Sequence, residues 1–370
     1  IRLVPVGPVP APVAPGAVVP APANPLSYKG KTYRGELEVL VVPDSQKSPK
    51  LNVVNVVNLE EYLYSVVSRE MNYDWPQEAL KAQAVAARTY ASSHMASGSK
   101  WQGEGFDMVA TTQDQDYGGL AAERGPHSQA VAATQGQVLT YGGKYATTFY
   151  HASSGGHTEN NEVIYGYNPI PYLRGVPDFD NVPGNTRFSW QYAYTLEEFA
   201  RLLAESGYDV GTVTSATPAG LLGVSGRASQ WLVTGTKGSV TINHSPLRFL
   251  LDIPSSARSV TVQPPGLGSA TRTYAATQSV TVVGPDGKLT SRAVRGMVAV
   301  GAGGAPVPVN GSLTATGGQL EHVGGVTVSG GGYGHAVGMS QFGAYGMALQ
   351  KKTYVEILTH FYKGTTVETR

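Results

Sequence analysis

Cysteine is missing altogether from the 370 residues, and with it go disulfides, thiolate metal ligands and thiol nucleophiles. A cysteine-free chain suits either face of a bacterial membrane, so this absence places the protein on neither. Charge is sparse as well. Lys and Arg outnumber Asp and Glu by 27 − 26 = +1, which leaves no overall field to draw in nucleic acid or an anionic membrane, and no nucleic-acid partner is expected. No apolar run reaches the length of a bilayer span, so no transmembrane segment is expected. Ile1 is not an initiator Met, which reads as a chain from which any signal segment has been removed.

Glycine and proline are plentiful instead, at 46 and 24 residues, and they punctuate the chain. The first 25 residues, IRLVPVGPVPAPVAPGAVVPAPANP, read either as a semi-rigid extended spacer or as an arm packed across its own domain. Alternation in ELEVLVVP and LNVVNVV predicts two strands between Ser27 and Val57, joined by the polar turn DSQKSPK. A short helix is predicted over 127–135, and QVLTYGGKYATTFYHA then predicts a hairpin turning at Gly142-Gly143. Thr195, followed by a stripe of Leu196, Phe199, Ala200, Leu202 and Leu203, predicts an amphipathic helix over 197–206. Strands follow at GVSGRASQWLVTG and GSVTINH. Near the end, Thr353 and Glu356 form a capping box before a helix carrying Val355, Leu358 and Phe361, which Gly364 closes.

The stretch from Asn58 to Ser93 carries the most chemistry. Asn58, with Glu61 three residues later, opens a helix in which Leu59, Tyr62, Leu63, Val66 and Val67 form one apolar stripe. Glu70 extends that stripe, four residues after Val66 and seven after Leu63, and so points toward a core or a cleft. Desolvation and the helix C-terminus both favour its protonated form. A carboxylic acid that keeps its proton near neutrality is what glycosidic cleavage needs, because the leaving oxygen must be protonated as the bond breaks. A second helix is predicted from Asp74-Trp75-Pro76, with Asp74 as its cap, to about Ser93. Its alanines let a neighbour approach closely. Lys81 and Arg88 share one face and can supply a cation near Glu70 or near a substrate. Gln83 falls with Ala79, Ala87 and Tyr90, either as a satisfied core amide or as a polar group at the cleft floor.

The strings NLEEYLYSVVSREM, EALKAQAVAARTYA, YHASSGGHTENNEVIYG, PYLRGVPDFD and GGGYGHAVGMSQFGAYGMA, in that order, closely resemble the motifs of the SpoIID/LytB family of bacterial cell-wall proteins. The resemblance covers roughly Tyr28 to Thr365, except the segment from about Arg258 to Glu321. TTQDQDYGG is similar to the family's "QxYxG" element, and SPLRFLLDIPSS to another family stretch, read here as structural. The family includes lytic transglycosylases acting on peptidoglycan glycan strands and proteins described as enhancers of amidases. Its "EM" glutamate corresponds to Glu70, and its arginine before "TY" to Arg88. Asn72 stands where Pro is usual, Ala336 replaces the Gly of "GHGVGMSQ", and Arg174 follows "PYL" where Lys is frequent.

The resemblance implies an α+β fold, a β-rich core with a few helices framing a substrate cleft. Residues 1–26 are then an arm or linker, 27–257 and 322–370 form the core, and 258–321 is an inserted β-rich segment carrying the turn signals GPDG and PVNG. It also implies a secreted or envelope-associated protein whose partners are peptidoglycan glycan strands. The expected reaction cuts the β-1,4 bond between N-acetylmuramic acid and N-acetylglucosamine without adding water. Glu70 serves first as acid and then as base, so a second carboxylate is not obligatory. The alternative is a glycan-binding enhancer whose partner is a cell-wall amidase.

With Glu70 and Arg88 as the catalytic pair, substrate contacts are expected from Gln83, Ser154, His157, Tyr172 and Arg174, and from His335, Ser340 and Gln341. Trp75 and Tyr333 are further stacking candidates. For His335 two roles stay open: a place beside the sugar, or a buried ring holding the glycine-rich turn through two hydrogen bonds. Neither Ser153 nor Ser154 sits in a G-x-S-x-G elbow, which argues against a serine nucleophile. Some family members carry a metal at the His151–His157 loop with Cys among its ligands. Lacking thiolates, this chain would need additional carboxylates there, so neither a metal nor another cofactor is expected. Asp114 and Asp116 read as turn formers rather than cation ligands.

Overall fold

The computed structural model describes residues 1–5, 13–43, 48–263 and 324–370, together with the backbone of paired strands between 266 and 322. The expected α+β class is what it shows: small sheets around helices α1 (Leu59–Glu70), α2 (Gln77–Ser97), α3 (Gly125–Ala133), α4 (Asn161–Tyr165), α5 (Leu196–Glu205), α6 (His244–Leu250), α7 (Gln341–Leu349) and α8 (Tyr354–Phe361). Among the described residues no helix is long and apolar enough to cross a membrane.

The Asn58 side chain starts α1 by accepting the Glu60 amide at 2.9 Å, one position earlier than a box with Glu61 requires. The helix ends on Glu70 because Met71 turns to extended backbone while still donating to the Val67 carbonyl. Helix α2 departs from expectation at both ends. Pro76, not Asp74, is its N-cap, with no side-chain cap bond, and the helix continues past Ser93 until Gly98 at φ 82°. Ser97 Oγ and His94 Nδ1 bond back to the carbonyls of Ser93 and Tyr90, which fastens that extra turn. Ala79, Ala82, Ala84, Ala86, Ala87 and Ala91 have no exposed surface. Small side chains let α1, α3, α7 and α8 all pack closely on α2.

Strands Glu36–Val42 and Lys50–Val56 pair in the register Glu36↔Val56; the turn expected at DSQKSPK lies largely outside the described residues. The N-terminal segment lies against its own domain. Arg2–Leu3 pairs with Glu38 and Leu37, the Val19 amide donates to the Tyr64 hydroxyl, and Arg34 donates to the Val19 and Pro20 carbonyls. Gly142 and Gly143, at φ 56° and 76°, form the primed turn between Gln137–Tyr141 and Lys144–Tyr145. Thr366–Thr369 completes that sheet.

A second core gathers Trp231, Phe199, Leu203 and Val328 between two sheets. One is the meander Val213–Leu222, Ala228–Gly235 and Gly238–Asn243; the other sets Gly325–Gly330 between Ser259–Gln263 and Trp190–Thr195. Thr195 caps α5 by accepting the Glu198 amide at 3.0 Å. Beyond Gln263 the antiparallel ladder continues as Gly266–Ser269 with Gln319–His322 and Arg272–Tyr274 with Leu313–Ala315. Two hairpins follow, Ser279–Val283 with Leu289–Ala293 and Val298–Val300 with Pro306–Pro308. The turn residues of GPDG and PVNG lie outside the described residues.

One parallel pairing organises the site. Tyr150–His151 runs beside Met339–Ser340, and the bridges Ser153↔Tyr333 and Glu159↔Val337 bring the Ser-Ser-Gly-Gly loop against the glycine-rich motif. Ala336 lies there at φ 67°, left-handed backbone that a glycine would adopt at no steric cost.

Candidate active site

Glu70 closes α1 with its side chain partly accessible and its carboxylate largely desolvated. Oε2 accepts a hydrogen bond from Gln341 Nε2 at 2.7 Å, and the Asp116 backbone amide is a second donor. Among the described residues no cation pairs with it. Its neighbour Arg69 is engaged by Asp116, at 2.7 and 2.9 Å. Burial is the largest influence on the Glu70 acid and raises its pKa; the Gln341 bond pulls it down, and the negative Asp116 pushes it up.

Behind it lies a neutral polar network. The Tyr62 hydroxyl donates to Gln115 Oε1 at 3.0 Å, and Gln115 Nε2 donates to the Tyr150 hydroxyl at 3.0 Å and to the Ala87 carbonyl. Burial first, and the nearby Glu70 charge among the further causes, raise the pKa of both phenols. To one side Trp75 stacks on Tyr345 with centroids 4.7 Å apart and planes at 9°, and meets Phe342 at 5.0 Å. Phe342 follows Gln341 on α7, and Trp75 lies in the turn after Glu70, so the three rings come from the same two stretches of chain as the Glu70–Gln341 pair. Two recesses, of about 340 Å³ beside Tyr354 and Thr366 and about 170 Å³ beside Glu60 and Tyr64, do not include Glu70.

Gln341 is aimed by the start of α7. Ser340 caps that helix, accepting the Gly343 amide at 3.0 Å and donating to Asp178. Asp178 also accepts from Ser154 Oγ at 2.5 Å and comes so close to Gly343 that a Cβ there would lie 1.9 Å from its Oδ1. Asp180 accepts from Ser153 Oγ and from the Gly155 and Gly156 amides at 2.6 to 2.8 Å. Burial, then repulsion from Asp180, pushes Asp178 up to about 7. The loop's donors therefore turn inward to two aspartates.

Of the expected site residues, the structure brings Glu70 and Gln341 into contact and uses Ser340 to position the latter. Others are engaged elsewhere. Arg88, 1% exposed, donates from Nε and Nη2 to Glu60 at 2.7 Å each, and from its Nη atoms to the Gln137 and Val131 carbonyls. Antiparallel packing of α1 and α2 carries it to the first turn of α1, away from Glu70 at the last. Lys81 pairs with Glu78 at 2.7 Å. Arg174 is held by Glu162, Asn161 and the Ile170 carbonyl, so it is no free glycan-binding cation. The Tyr172 hydroxyl accepts the Thr147 amide. Ser154 is fully buried, and so is Gln83, whose amide atoms find no partner among the described residues.

His335 takes the turn-holding role. Nδ1 accepts the Val337 amide at 3.1 Å, so Nε2 carries the proton and donates to the Tyr150 carbonyl at 2.9 Å; burial lowers its pKa to about 4 and keeps it neutral. His151 Nδ1 donates to the Val337 carbonyl and His157 Nδ1 to the Thr158 carbonyl. Glu159, the nearest carboxylate in sequence, accepts from Ser225 Oγ and the amides of Val224 and Ser225. Among the described residues no three His, Asp or Glu side chains are disposed around a metal, and this loop does not fit one. Gln115 and Tyr150 were not singled out by the sequence reading. The only signal for Gln115 was its place in TTQDQDYGG.

Residues 47–141, which contain α1, α2 and α3, match the model of the family described as Stage II sporulation protein. An uncharacterized protein of Brachyspira hyodysenteriae is 30% identical over 92% of this chain and 73% of its own length. The Stage II sporulation protein D of Bacillus subtilis is 29% identical over 85% of the chain and 75% of its own length. The Amidase enhancer of Bacillus subtilis is 28% identical over 82% of the chain, which spans 40% of that relative. With similarity extending over most of two of these relatives, and the five motifs in order along the sequence, the chain belongs to the SpoIID/LytB family.

Proposed function

We propose that the protein is a peptidoglycan lytic transglycosylase, acting outside the cytoplasmic membrane on strands of alternating N-acetylmuramic acid and N-acetylglucosamine. One observation carries the reading: Glu70 is a desolvated carboxyl group with a neutral amide as its side-chain partner and its pKa raised. Such surroundings favour the protonated form. Glu70 gives its proton to the glycosidic oxygen as the muramyl C1–O bond breaks, which frees the 4-hydroxyl of N-acetylglucosamine. As a carboxylate it then takes the proton of the muramyl 6-hydroxyl while that oxygen closes on C1, so the 1,6-anhydro ring forms and the acid is restored. Asp116, the acidic side chain whose charge raises the Glu70 pKa, is paired with Arg69, in keeping with a single-acid mechanism.

The name of the relative called Amidase enhancer favours a second reading, in which the same cleft grips glycan without cutting it and its partner is a cell-wall amidase. Digesting purified glycan strands and weighing the products separates the two. Anhydro-muramyl ends are expected. Reducing ends indicate a hydrolase, and intact strands together with faster release by an added amidase indicate the enhancer.

A further inference from the structure

Arg248 is a half-buried cation with almost nothing to hold. Its helix, α6, is fastened to α4 by His244, whose Nε2 donates to the Ile164 carbonyl at 2.8 Å while Nδ1 accepts the Ser256 hydroxyl at 2.7 Å. One turn further along α6, Arg248 comes within electrostatic reach of Tyr165, the last residue of α4, and of Tyr333. Its Nε donates to the Ile253 carbonyl at 3.3 Å; its Nη atoms make no hydrogen bond, and no carboxylate pairs with it among the described residues. The other sheltered arginines differ. Arg34, Arg88 and Arg174 each have a carboxylate, and Arg227 and Arg258 each hold two or more backbone carbonyls.

A half-buried guanidinium whose two Nη groups have no protein partner among the described residues is free to take an incoming carboxylate in place of water. Its surroundings suit one. Phe249, 72% exposed, lies under the guanidinium at 5.5 Å, Tyr333 is 51% exposed, and Tyr167, 62% exposed, stacks on Tyr165. The place is connected to the candidate acid by packing: the Tyr165 ring meets Phe149 at 5.0 Å and His335 at 5.7 Å, and the strand Tyr150–His151 that follows Phe149 pairs with Met339–Ser340, next to Gln341, the partner of Glu70.

We propose that Arg248, rimmed by Tyr167, Phe249 and Tyr333, binds a carboxylate of the glycan strand through its two Nη groups, in a subsite beyond the one at Glu70. This rests on the reading that the cleft takes peptidoglycan. The carboxylate has two possible sources: the lactyl group of a muramyl residue whose peptide has been removed, or the stem peptide itself. Oligomers of N-acetylglucosamine carry neither.

The test titrates the full chain bearing Glu70→Gln, so that strands stay intact, with denuded strands, peptide-bearing strands and N-acetylglucosamine oligomers, each with and without Arg248→Ala or Arg248→Lys. Charge-assisted bidentate bonds of this kind predict an affinity loss of about tenfold or more for Arg248→Ala on the carboxylate-bearing polymer, partial recovery with Arg248→Lys, and no change on the neutral oligomer. Loss on denuded strands alone identifies the lactyl carboxylate, and loss on peptide-bearing strands alone identifies the peptide. Equal loss on all three polymers means that Arg248 only supports the fold and overturns the proposal. So does binding that ignores Arg248. Should Arg248→Ala lower the melting temperature sharply, Arg248→Gln, which keeps size and polarity, takes its place. A protein with Arg248 intact that binds none of the polymers refutes the glycan reading itself, a result distinct from binding independent of Arg248.

Discussion

Glu70→Gln keeps the volume and polarity of the acid and can still meet Gln341, but it has no proton to deliver. Glycan cleavage should fall about 10²- to 10⁴-fold, the range a positioned general acid contributes, while folding and strand binding persist. Wild-type turnover in that variant would remove the acid assignment. The pH profile follows from the raised pKa of Glu70: the acid form is present below that pKa, so kcat/KM should be lost as pH rises through it. The Gln341 donor favours the carboxylate. Gln341→Ala should therefore move the alkaline limb to higher pH, and a limb that stays in place would mean that another group sets it. Because His151 and His157 are bound to backbone carbonyls, activity should survive a chelator; stoichiometric zinc with activity restored on its return would contradict this. The apolar stripe of α1 made Glu70 legible from sequence alone. Its partner, 271 positions away, was not, since nothing local decides which amide of a glycine-rich motif will face it.

At the scale of elements, local signals served best where both partners of a bond are close in sequence. The Thr353–Glu356 box, the Thr195 cap and the Gly142-Gly143 turn are all formed by neighbours. Long-range partners went differently. Arg88 sits on the helix that packs against α1, and its sequence position suggested a cation near Glu70 or near a substrate; the antiparallel helix pair brings it to Glu60, 28 positions back. The expected consequence is a change of role. Breaking a buried ion pair by removing one partner costs about 3–5 kcal/mol, so Arg88→Ala should lower unfolding stability by that order. Its folded fraction should keep near-normal kcat. Arg88→Lys should recover little, because an ammonium cannot reproduce the two parallel bonds to Glu60 or reach the Gln137 and Val131 carbonyls with them. Chemical denaturation alongside activity normalised to folded protein checks both variants. A stable Arg88→Ala protein without activity would return Arg88 to the catalytic site.

Across the whole molecule, the least legible feature is how the segment beyond Gln263 joins the rest. Turn signals announced β structure there, but not that Gly325–Gly330 would lie between Ser259–Gln263 and Trp190–Thr195, a pairing that spans more than a hundred positions. Gln263 and Gly325 are direct antiparallel partners, while Val260, Val326 and Val328 are buried in the core beneath. Everything between leaves and returns at one pair of residues. We predict that joining Gln263 to Gly325 through an Asn-Gly turn, with residues 264–324 removed, preserves the fold, because a two-residue primed turn suits adjacent antiparallel strands. Replacing a connection of about 60 residues by one of about 2 also lowers the closure entropy by roughly 3 kcal/mol, since each doubling costs about 0.6 kcal/mol. The melting temperature should be equal or higher, and glycan cleavage at Glu70 should continue. Loss of the folded state would show that the segment completes a core, whereas a stable protein that no longer binds strands would assign it a share of the substrate.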